Sequence, residues 1–267
     1  MKKYWHIVNI GLQNTLVYRV NFLFRSVFGL IPLMATIYLW RAIYAGKNAG
    51  EVAGYTLAGM TSYYLLVTLV DMLTAVNEDD WQIAADIREG NLNQFLLKPI
   101  DYLAYRLCLF GAGRVTYTAV ALAPVIIFVL VQREFFVAPA DLVTFGCFLF
   151  SVLLTALLQF FMSYTMALLS FWILEVSTLI FILFAFEYIA GGHLFPLDIL
   201  PPMMSKVLSF TPFPYQLFFP VGIYLGRVQG EQLWRGLALQ TVWVIAFYLL
   251  GKFVWSRGIR KYTAFGG

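Results

Sequence analysis

Polar and apolar positions alternate along this chain on the scale of whole helices. Long apolar runs cover 21–44, 52–76, 102–131, 142–170, 172–189 and 233–255. A helix of about 20 apolar residues crosses about 30 Å of hydrocarbon, so each run predicts a membrane span. The first twenty residues have a different rhythm. Trp5, Val8, Leu12, Leu16 and Val20 fall on one helical face, while Lys2, His6, Asn9 and Gln13 fall on another. That pattern predicts an amphipathic helix over 1–20 at the membrane surface, followed by one transmembrane domain over 21–267. His6 has no second candidate ligand in reach along the helix and implies no metal. The expected fold is all-α: a polytopic membrane protein with about six spans.

Between the second and third runs lies a polar stretch, 77–101, reading NEDDWQIAADIREGNLNQFLLKPID. Hydrocarbon cannot solvate its many charges, so it belongs in water. Asp79 or Asp80 can cap a short helix, Trp81, Ala84, Ala85 and Arg88 recur at helical spacing, and Gly90 supplies a left-handed stop. An apolar cluster, Leu92, Phe95 and Leu96, follows before Lys98-Pro99 breaks the chain. A Trp and a Leu/Phe cluster on a charged loop either lie flat on lipid headgroups or fill a partner's pocket.

The segment from Ile87 through Arg88, Gly90, Leu92, Phe95, Leu96 and Pro99 to Ile100, directly before a span, resembles the hallmark of ABC-2 type exporter permeases. It is especially similar to a bacterial branch of that class in which the wording NLNQFLLKPI is typical. The resemblance implies that 77–101 is a coupling loop docking on separate ATP-binding cassette ATPase subunits, with Trp81 and the residues just named as contacts. It also implies a second permease subunit, identical or related, and a place in the cell (inner/plasma) membrane. ATP and Mg would be held by the partner ATPase and no cofactor by this chain. Membrane lipid is the other expected contact, and nucleic acid is not one.

Composition agrees with the pattern: 61% hydrophobic, 18% aromatic and 12% charged residues, with mean hydropathy +0.78, lie far from the soluble average. Lys and Arg placement sets orientation. Lys2, Lys3, Arg19, Arg25, Arg88, Lys98, Lys252 and the basic tail share one side if the span number is even. Both termini and the coupling loop are then cytoplasmic, with Lys47, Arg133 and Lys206 outside. Cys108 and Cys147 lack CxxC spacing and read as reduced packing residues. No GxxxxGK[ST], HExxH or Ser/His/Asp order occurs, so the chain carries no sequence signature of catalysis or nucleotide binding.

The stretch 190–227 holds six of the ten prolines, too broken for a spanning helix and too apolar for an exposed loop. It reads as a re-entrant hairpin in the outer leaflet, or as an interfacial loop held by its aromatics. Gly191, Gly192, Pro196, Pro201, Pro202, Pro212 and Pro214 are its turn-makers, and the resemblance implies that it closes the outer end of the path. Charges inside spans are the remaining candidates. Asp71 and Arg106 fall near the same end of neighbouring antiparallel spans, which predicts an ion pair. Arg114 lies in the same span as Arg106. Glu187 and His193 either bind a cationic substrate group, relay protons or brace the hairpin. An ion-coupled secondary transporter working through Asp71, Glu187 and Arg114 is the rival reading, and an intramembrane lipid-modifying enzyme a weaker one.

Overall fold

The structure, a computed structural model, describes residues 2–47, 51–76, 79–131 and 137–262. Arg133, singled out above, and the first two residues of the 77–101 stretch lie outside them. All regular structure there is helical: α1 (Lys2–Leu16), α2 (Arg19–Lys47), α3 (Leu57–Thr74), α4 (Asp79–Arg88), α5 (Asn93–Leu96), α6 (Tyr102–Val131), α7 (Leu142–Ala167), α8 (Ser177–Ala190), α9 (Pro202–Leu208), α10 (Phe218–Tyr224) and α11 (Gly230–Gly258). Two spans start on side-chain caps. Thr56 Oγ1 accepts from Gly59 N–H (3.1 Å) ahead of α3, and Asp141 accepts from Thr144 N–H (2.6 Å) ahead of α7.

Five helices are long and apolar enough to cross a membrane: α2, α3, α6, α7 extended by a 3-10 turn to Phe171, and α11. The expected fifth span differs. Residues 172–176 form no helix, and α8 has only 14 residues. At 1.5 Å per residue it reaches about 21 Å, short of the hydrocarbon thickness. Just ahead of it, Arg88 Nη1 donates to Leu174 O (3.2 Å), tying that non-helical stretch to the end of α4.

The first helix packs lengthwise on the first half of α6. Lys3 Nζ donates to Pro99 O (2.5 Å), Asp101 N–H donates to Tyr4 Oη (3.3 Å), and buried Gly11 lies against Leu109 and Ala112. The helix therefore has two apolar faces. One, centred on Gly11, meets α6; the other leaves Trp5 and Leu16 exposed, while Val20, expected on the same face, belongs to α2. Beyond the Thr15–Tyr18 turn, α2 continues along α6, with Phe22 edge-on to Tyr117 and Ser26 Oγ donating to Ala121 O. The core gathers around α3, α7 and α10, where Met60, Tyr63, Phe148, Phe160 and Tyr164 are fully buried. Dispersion and exclusion of lipid hold it, since large rings packed at close range gain many small contacts at once.

The candidate coupling surface and the intramembrane polar sites

At the α4–α6 end, one face of the loop is locked into the bundle. Arg106, in the second turn of α6, contacts Asp86 of α4, donates from Nε to Tyr102 Oη (3.0 Å) and from Nη1 to Gln82 Oε1 (3.1 Å). Tyr102 Oη donates to the same Asp86 oxygen (2.7 Å) and its ring stacks on Trp255 of α11 (5.1 Å). The predicted Asp71–Arg106 pair is thus corrected. Asp86 is carried back onto Arg106 by α4, while Asp71 lies elsewhere.

The stop after α4 forms as its Gly requires. Gly90 has φ +79, a backbone region closed to most side chains, and Leu92 N–H reaches back to Asp86 O (3.0 Å). This turn drops Leu92 into the core beside Ile83 and Ile87, all buried. Phe95 packs on Tyr102 and Tyr105 (5.2 and 4.9 Å). Ile87 and Leu92 therefore brace the loop from inside, and Phe95 is half-buried against the two rings. The outward apolar residues are Trp81 (44% exposed), Leu96 (48%) and Leu97 (88%). Arg88 and Pro99 are exposed as well. Leu97 was not singled out from the sequence; its only signal was adjacency to Leu96. Asp80 is buried, accepting from Trp81 N–H (2.8 Å) and Ser163 Oγ (3.2 Å), and burial pushes its carboxyl above the usual range.

Within the bundle the polar residues pair across unexpected elements. Asp71 Oδ1 lies 3.2 Å from His193 Nε2, and Glu187 accepts from Gln216 Nε2 (2.9 Å). Arg114 lies over the rings of Phe110 and Tyr117 (5.9 and 5.3 Å) and lines, with Arg25, a cavity between α1, α2, α4 and α6.

The proline-rich stretch separates into two layers. Pro201 and Pro202 start α9, which is exposed through Met203, Met204 and Val207. Pro196, Pro212 and Pro214 are buried, and α10 is buried along nearly its whole length. The break at 213–217 lies deep in the bundle, and its Tyr215 carbonyl accepts from Thr155 Oγ1 (3.1 Å) of α7 and Gln240 Nε2 (2.9 Å) of α11. A broken backbone away from water needs such donors. The reversal after α8 uses Gly192 alone of the glycine pair: its φ is +95, against −83 at Gly191. A side chain at 192 would also meet Tyr63 Oη, which donates to Gly192 O (2.6 Å).

With this arrangement in view, comparison with protein families is decisive: the model described as "ABC-2 family transporter protein" matches residues 30–266. The chain belongs to the ABC-2 transporter family. Comparison with curated proteins gives no match. Membership makes the chain a multi-pass permease component of an ABC-type transporter, a transport subunit and not itself an enzyme, of a family that associates with ABC ATPases. Among the described residues no group of His, Cys, Asp and Glu could hold a metal ion. The polar residues above are accordingly read as parts of a transport subunit.

Proposed function

We propose that this ABC-2 permease chain couples to a separate ATPase through the outer face of α4 and α5, with Trp81, Leu96 and Leu97 as the contacts and Arg88 and Pro99 at their edge. One observation carries the reading: three exposed apolar side chains stand on a loop whose opposite face is pinned by Arg106, Asp86 and Leu92. A rigid platform with an apolar tip suits force transfer, since motion imposed at the tip is not absorbed by loop deformation. Two copies of the chain, or this chain and a related one, would form the path. ATP and Mg belong to the partner, both termini and the coupling face lie in the cytoplasm, and the outer segment 190–227 gates export.

Capture of a co-expressed ATP-binding cassette ATPase tests the proposal. A truncated apolar anchor commonly costs about 2 kcal/mol, roughly thirtyfold in affinity. Trp81→Ala and Leu97→Ala are each expected to reduce capture by about that factor at matched membrane abundance. Glu89→Gln, a rim charge, is expected to change it little. Undiminished capture by the Trp81→Ala, Leu97→Ala double variant would sink the coupling assignment.

A further inference from the structure

A cavity of about 330 Å³ lies among α2, α3, α6 and α8, beside the Asp71–His193 pair. Three features of its wall point to one ligand chemistry. First, Asp71 is a carboxylate within a spanning helix; His193 holds one of its oxygens, and the side chain, 44% exposed, lines the cavity. An acid at such a place is expensive to keep and marks a binding or transport function by default. Second, the rings of Tyr64, Tyr117 and Tyr188 line the same space, and Tyr188 stacks on His193 (5.1 Å, 17°). Aromatic faces attract cations that have shed water. Third, the rest of the wall is largely aliphatic, including Leu30 and Leu33, and so takes an apolar body.

The volume suits a small organic molecule. A bare metal ion is disfavoured, because one carboxylate and one imidazole make too few ligands, and no metal-holding group exists among the described residues. Arg25 also lines the cavity and opposes any cation there, a dication twice as strongly as a monocation, so the ligand's single charge must rest on the Asp71 side. We infer that this cavity binds monovalent organic cations with an apolar or aromatic body, the ammonium group resting on Asp71. Taking such cations as the transported class rests on the permease reading above. His193 is then a positioning residue: it fixes the carboxylate that meets the ligand. Its second ring nitrogen, Nδ1, is buried without a hydrogen-bond partner, so the ring is held by Asp71 and by its stack on Tyr188.

Ethidium is a suitable probe, being a planar monovalent cation whose fluorescence reports binding. The intact chain, purified in detergent, is expected to bind ethidium saturably. Phenanthridine, with the same ring system and no fixed charge, is expected to bind far more weakly. Asp71→Asn should weaken ethidium by about fivefold, the loss of one half-exposed charge partner. Asp71→Glu should recover part of that loss, and Glu231→Gln, on an exposed helix face, should leave binding unchanged. Should Asp71→Asn fail to fold, the comparison of ethidium with phenanthridine on the unaltered chain still decides. Equal affinity for the two, or full ethidium affinity in folded Asp71→Asn, overturns the inference. The two readings separate cleanly. ATPase capture without ethidium binding overturns the cation site alone, whereas ethidium binding without ATPase capture supports the site and removes the permease coupling.

Discussion

Each end of the bundle carries an arginine paired with an aspartate beside a tyrosine ring, but the two clusters are built to different strengths. At the α4–α6 end, Arg106 and Asp86 are nearly sealed, with side chains 5% and 15% exposed. At the other end, Arg227 lies 3.8 Å over the ring of Tyr55, pairs with Asp198 at 3.2 Å and donates to Gly54 O (2.9 Å). Those two side chains are 31% and 36% exposed. The difference matters because burial changes what a broken pair costs. Removing one partner of a sealed pair leaves a charge stranded away from water; an exposed pair exchanges its partner for water. The first cluster therefore holds a platform rigid. The second is a clasp joining the α2–α3 turn to the proline-rich segment, and water can open it.

The largest expected effect tests the sealed cluster. Arg106→Ala should lower stability by about 3–5 kcal/mol, because nearly sealed Asp86 loses its countercharge and keeps only the Tyr102 hydroxyl. Thermal unfolding in detergent measures it. Adding Asp86→Asn should return a substantial part of the loss, and strictly additive losses would show that the two residues do not act as a pair. Of intermediate size is Gly192→Ala. It imposes φ +95 on a side-chain-bearing residue and crowds Tyr63 Oη, for a loss of about 1–3 kcal/mol. Gly191→Ala keeps an ordinary φ, but its Cβ would stand 2.5 Å from Glu187 O, so it should lose stability through crowding instead. An unchanged thermal midpoint for Gly192→Ala would show that the positive φ is not what the reversal requires. The smallest effect concerns the clasp. Arg227→Gln should cost no more than about 1 kcal/mol, yet it should quicken thiol labelling of a cysteine placed at Tyr55. Unchanged labelling would mean that the clasp does not control opening.

The apolar runs announced the spans because lipid exposure demands length and hydropathy, and both are local properties. The shortness of α8 was not legible: Trp172, Ile173 and Leu174 are as apolar as the helix that follows, and the contact that holds them, Leu174 O to Arg88, comes from a distant element. The misplaced ion pair has a separate cause. Depth counted from span ends takes no account of segments that fold back: α4 returns Asp86 to Arg106, and the turn after α8 brings His193 to Asp71. The apolar cluster after Gly90 was legible as important, but its direction was not. A turn of one residue decides that Leu92 points inward and Leu97 outward, and turn geometry is a three-dimensional outcome.

The final helix gives the molecule a mechanical property that neither end has alone. α11 has 29 residues and so extends about 43 Å. Near its last turns Trp255 lies flat on Tyr102, and Lys252 stands 3.7 Å from Asp101. Further back, Gln240 grips the Tyr215 carbonyl and the Ser151 backbone and side chain. A single stiff rod is thus fastened to both working regions. Sliding it along its axis would displace the platform and the broken backbone by the same amount in the same direction, so the two ends keep time without any relay of side chains between them.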